Sequence, residues 1–127
     1  MPTDPFPVTV FHNPACGTSR KVVAMIAAAG YAPTVVDYLK TGWTPAQLEG
    51  LFKAMGVSAR EVMRANAPPV EALDLLNPAT TDETIIAAMV AHPILVNRPI
   101  VVTPKGTRLA RPAERVLELL DRQPPTG

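Results

Sequence analysis

A strand, a helix and a second strand open this chain, and no other feature limits its fold as strongly. Val8-Thr9-Val10-Phe11 reads as a short strand, and Thr18 to Ala29 reads as a helix closed by Gly30. Thr34-Val35-Val36-Asp37-Tyr38 then has the β-branched and aromatic bias of a strand. Two strands joined by one helix pair in parallel, because the helix carries the chain back to its starting edge. The opening is therefore a βαβ unit, and the class is α/β.

Helices dominate the middle of the chain. Thr44-Pro45 supplies an N-cap followed by proline at the first helical position, which predicts a helix through about Met55 with Gly56 closing it. Ser58-Ala59-Arg60-Glu61 matches a capping box and predicts a short helix through Val62 and Met63. Thr81-Asp82-Glu83 starts a further helix with Ile85, Ile86, Met89 and Val90 on one apolar face, ended by His92-Pro93. Strand patterns return at Ile100-Val101-Val102-Thr103 and Thr107-Arg108-Leu109-Ala110, and Pro104-Lys105-Gly106 between them signals a hairpin. Pro112 opens a last helix whose Val116, Leu117, Leu119 and Leu120 can cover the sheet. This order resembles a thioredoxin-like domain: a mixed four-stranded sheet flanked by helices, with a helical insertion between strands 2 and 3. In that fold a cis-proline commonly faces an active cysteine, and Pro99, just before the third strand, is the candidate.

With 127 residues the chain suits one domain, with residues 1–7 and 122–127 expected as flexible tails. A formal charge of +1 gives no overall basic field for nucleic acid or an acidic membrane. The N-terminus lacks a basic region followed by an apolar one, and no apolar run approaches the ~18 residues of a membrane span. A cytoplasmic monomer is expected. One cysteine permits no internal disulfide, and the acidic residues form no ligand cluster with it or with either histidine.

That cysteine, Cys16, stands where the first strand gives way to the first helix. A sulfur there meets the positive end of the helix dipole and unpaired backbone N–H groups, which favour its charged form over the ordinary thiol of pKa about 8.5. Arg20 adds positive charge nearby. The thiolate is the nucleophile, so the segment describes an attacking atom beside a cradle for an oxyanion. Ser19 takes the place of the second cysteine of a dithiol oxidoreductase, so redox turnover at Cys16 would need a resolving thiol from another molecule. The arginine follows the cysteine by four residues, which departs from the Cys-X5-Arg phosphatase pattern. His12 can donate to the thiolate or place positive charge beside it. The Ser19 hydroxyl is near enough on the first helical turn to contact the sulfur or to cap local backbone. His92 reads as structural.

Three blocks carry a resemblance to a family. His12-Asn13-Pro14-Ala15-Cys16-Gly17-Thr18-Ser19-Arg20, Asn97-Arg98-Pro99-Ile100-Val101-Val102-Thr103-Pro104 and Gly106-Thr107-Arg108-Leu109-Ala110-Arg111-Pro112 resemble the glutaredoxin-dependent arsenate reductases in order and spacing, from about Val8 to Leu120. The resemblance implies that Cys16 attacks arsenate, that Arg64, Arg98 and Arg111 hold its oxyanion forms, and that His12 and Ser19 tune the thiol. It also implies glutathione as co-substrate, glutaredoxin as protein partner and no bound cofactor. The chemistry is consistent, because arsenate is a small tetrahedral dianion and guanidinium groups present fixed forks of donors to its oxygens. Two other readings share the scaffold: a glutathione-dependent thiol reductase with another substrate, and an Spx-like regulator that binds RNA polymerase. The latter typically carries a Cys-X-X-Cys switch, which Ser19 interrupts here.

Overall fold

The computed structural model describes residues 6–121, which divide into two compact units. One comprises the chain up to Asp37 and from Arg98 onward; the other is Tyr38–Asn97.

The first unit is built on a four-stranded sheet of β1 (Thr9–His12), β2 (Thr34–Asp37), β3 (Ile100–Thr103) and β4 (Gly106–Leu109), in the order β2-β1-β3-β4. β1 and β2 are parallel, as the βαβ reading requires, whereas β3 runs antiparallel to both β1 and β4. The mixed sheet with a helical insertion after its second strand is the architecture expected. Helix α1 (Gly17–Ala28) buries Ser19, Val22 and Ile26, spaced as one helical face. Gly30, two residues beyond the helix, has φ of 95°, a conformation that favours glycine. Val22 and Ile26 pack with Val8, Val10, Val101, Ala110, Val116 and Leu119 into the core on one side of the sheet.

The last helix differs from expectation. Ala113–Leu119 is a 3₁₀ helix, and its buried residues, Ala113, Val116 and Leu119, recur every third position. That spacing matches three residues per turn, so the tighter helix aligns all three side chains on α1 and the β3–β4 hairpin. Thr103 Oγ1 fastens its end by donating to the Leu119 carbonyl at 2.7 Å. β4 starts one residue earlier than expected, because the glycine that closes the turn also pairs with Thr103. Most of the expected tails lie outside the described residues; Phe6, however, packs its ring 5.5 Å from that of Tyr31.

The second unit is helical: α2 (Tyr38–Thr41), α3 (Pro45–Met55), α4 (Ala59–Val62), α5 (Pro68–Ala72), α6 (Asp82–Ala91) and a 3₁₀ turn at Pro93–Leu95. Tyr38 starts a helix instead of ending the second strand, since its buried hydroxyl donates to the Val96 carbonyl at 3.1 Å. Thr44 Oγ1 accepts the Gln47 N–H at 3.1 Å, and both halves of the Ser58–Glu61 capping box are made. α6 buries Ile85, Ile86 and Met89. Met63 leaves α4 with extended backbone and bridges Val96. Arg60 donates to the carbonyls of Leu75, Asn77 and Thr80 and fastens the segment between α5 and α6. Among the described residues no helix is long and apolar enough to cross a membrane.

Candidate active site

Strand register decides which side chains meet. Phe11 lies opposite Ile100, and Ile100 lies opposite Leu109. The exit of β1, the entry of β3 and the exit of β4 therefore share one end of the sheet. His12 and the cysteine loop leave from the first, Arg98 precedes the second by two residues, and Arg111 follows the third by two. Residues more than eighty positions apart in sequence are thereby brought to one end of the sheet.

Cys16 is the N-cap of α1, with extended backbone at φ −92° and ψ 123°. Its carbonyl accepts the Arg20 N–H at 3.0 Å, the first bond of the helix, and the residue is 8% exposed. No acidic residue occupies the first turn of α1, so the positive end of the dipole is left for another anion. Arg111 Nη1 lies 3.7 Å from Cys16 Sγ and also donates to the Arg98 carbonyl at 3.1 Å. One guanidinium thus joins the sulfur to the segment that carries the second arginine. The bonds Arg98–Pro99 and Arg111–Pro112 are both cis, the first at the proline expected from the fold.

Burial pushes the Cys16 thiol up, but the backbone N–H of Ser19, the hydrogen bond and charge of Arg98, and the hydrogen bond of Arg111 together hold it below the range of an ordinary thiol. Protein dipoles and arginines thus replace the water that burial removes.

The structure places the three residues expected to tune the thiol around the loop that carries it. The Ser19 hydroxyl, fully buried, accepts the Asn13 N–H at 3.1 Å and lies 2.8 Å from His12 Nδ1, while the serine's backbone N–H is one of the groups that lower the Cys16 pKa. Burial pushes the His12 pKa below the ordinary histidine value; the charge of Asp37 opposes that shift and the charge of Arg20 adds to it. Arg20 turns back over the loop and donates to the Pro14 carbonyl at 2.9 Å, and the thiol is lowered by the charge and hydrogen bond of Arg98 and the hydrogen bond of Arg111. Arg64 belongs to the helical unit; its backbone N–H donates to the Leu95 carbonyl at 2.7 Å, and its Nε is buried without a hydrogen-bond partner among the described residues. Sequence reasoning passed over Asn13, although asparagine before proline at the end of a strand is a turn signature. Among the described residues no group of three or more histidine, cysteine, aspartate or glutamate side chains could hold a metal ion.

The ArsC family model matches residues 11–119 of this chain. The chain belongs to the ArsC family. An arsenate reductase of Synechocystis is 54% identical over 117 residues, covering 92% of this chain and 84% of that protein. The arsenate reductase of Escherichia coli K12 is 51% identical over 113 residues, covering 89% of this chain and 80% of that protein. Among solved structures, an arsenate reductase from Vibrio cholerae superposes with a TM-score of 0.88 at 36% identity, covering 92% of this chain and all of the other. ArsC membership extends across both units, since the matched span includes the whole helical insertion.

Proposed function

We propose that this protein is an arsenate reductase that works through a covalent Cys16 adduct, with glutathione and glutaredoxin supplying the electrons. The observation that carries the reading is Arg111 Nη1 standing 3.7 Å from a thiol whose pKa is lowered by Arg98 and Arg111. Such a site favours a negatively charged sulfur beside a negatively charged substrate, because the guanidinium forks neutralise both. Identity of 54% and 51% to arsenate reductases supports arsenate as the oxyanion.

Cys16 thiolate attacks arsenic, forming an S–As bond while one arsenate oxygen leaves as water after protonation. Arg98 and Arg111 hold the remaining oxygens, and Arg64 joins them by its position in the family motif. Glutathione displaces a second oxygen as water, giving arsenic(V) bound by two sulfurs. A glutaredoxin thiolate then attacks the glutathione sulfur; the electron pair of that S–As bond stays on arsenic, which becomes arsenic(III), and the mixed disulfide departs. Water cleaves the last S–As bond, releasing arsenite and the free thiol. Ser19 in the second cysteine position leaves Cys16 without an internal resolving thiol, as this division of labour requires.

Arsenite formation measured with each reductant omitted in turn tests the scheme. Turnover is expected only with glutathione and glutaredoxin together. Undiminished turnover with either one absent would overturn the assigned electron route.

A further inference from the structure

Four residues, Asn13 to Cys16, connect β1 to α1, and Asn13 is hydrogen-bonded across that arch by both its side chain and its backbone. Asn13 is 5% exposed, one of few buried polar residues among those described. Its Oδ1 accepts the Ala15 N–H at 3.0 Å, closing a turn over Pro14. Its carbonyl accepts the Cys16 N–H at 2.9 Å, and its own N–H donates to Ser19 Oγ at 3.1 Å. We propose that Asn13 is a positioning residue, whose side-chain acceptor fixes the loop so that Cys16 Sγ faces the Ser19 N–H and the Arg111 guanidinium.

The reasoning is geometric. The Cys16 N–H already has a partner in the Asn13 carbonyl, so the orientation of that peptide determines where the N-cap residue enters the helix. The Asn13 side chain fixes the same peptide by reaching two residues forward, a backbone turn imitated by an amide. Without this acceptor the Ala15 N–H loses its partner, and the backbone between Asn13 and Cys16 gains freedom. The sulfur then spends less time aligned with its donors. A displacement near 1 Å at a reacting atom can cost on the order of a hundredfold in rate. Serine keeps a shorter acceptor able to form the equivalent turn, whereas alanine keeps none.

The inference rests on Cys16 being the nucleophile, and its test reads the thiol independently of the substrate. The pH dependence of Cys16 alkylation by iodoacetamide is measured beside arsenate turnover for wild type, Asn13→Ala and Asn13→Ser, with circular dichroism as a control for folding. The groups around the loop remain constant: Arg20 on α1, His12 at the end of β1, Arg98 before β3 and Arg111 after β4. Asn13→Ala is expected to move the alkylation midpoint to higher pH and to lower kcat roughly 10- to 100-fold. Asn13→Ser is expected to restore most of both. An unshifted midpoint in the alanine variant, or a serine variant shifted as far as alanine, would overturn the proposal. Should alanine prevent folding, the serine variant decides alone: a near-wild-type midpoint supports the role and a raised one refutes it. A shifted midpoint in a protein that makes no arsenite even as wild type would sustain the role of Asn13 and sink the substrate assignment.

Discussion

At the scale of single residues, the chemistry reduces to a contest over one sulfur. Burial disfavours its charge, and a backbone N–H with two arginines reverses the balance. Because the pKa in the folded protein is lowered, the thiolate persists as pH falls below the ordinary thiol value of about 8.5, and reactivity disappears only on passing through the lowered value. Arg111→Ala should raise the pH midpoint of Cys16 alkylation, and an unchanged midpoint would remove Arg111 from the account. Arg98→Lys keeps charge but loses the fork. A charge-assisted hydrogen bond is worth about 1.5–3 kcal/mol, so the arsenate kcat/KM should fall roughly 10- to 100-fold. Wild-type kinetics would show that the guanidinium does not bind substrate. Cys16, Arg98 and Arg111 were singled out in the sequence by their motifs; the hydrogen bonds that surround the sulfur were not legible there. For Ser19 the sequence left two readings open, contact with the sulfur or local capping, because a hydroxyl three residues along a helix can turn either way; in the structure it bonds the Asn13 N–H and lies by His12. Asn13 escaped notice because its role lies in hydrogen bonds to its own neighbours.

At the scale of elements, local signals served best where they are self-contained. The Ser58–Glu61 capping box, the Thr44 cap before Pro45 and Gly56 at φ 70° all formed as the sequence predicted, each needing only residues within one turn. Ser58→Ala should therefore cost about 1 kcal/mol in urea unfolding, since it leaves a helix N–H without its acceptor. No measurable loss would mean that α4 is held by packing alone. Boundaries set by distant partners were less legible. Tyr38 has the bias of a strand residue, yet a hydrogen bond to Val96, fifty-eight positions away, draws it into α2. The prolines that begin α5 at Pro68 and the 3₁₀ turn at Pro93 were signals that could have been read as first helical positions. In the final segment, Ala113, Val116 and Leu119 at intervals of three already pointed to a 3₁₀ helix; the more usual α period obscured it.

At the scale of the whole molecule, the order of strands brings the chemistry together. Antiparallel pairing of β3 with both β1 and β4 puts the exits of β1 and β4 and the entry of β3 at one end of the sheet, so the cysteine and two arginines meet there despite their separation in sequence. Family membership spans that sheet and the helical unit that interrupts it. The most direct test of the central proposal is arsenite production from arsenate by wild type and Cys16→Ser, with glutathione and glutaredoxin present and folding checked by circular dichroism. Steady arsenite release by wild type, and none above the enzyme-free rate from a folded serine variant, is the predicted result. Turnover by the serine variant at the wild-type rate would contradict a covalent role for Cys16.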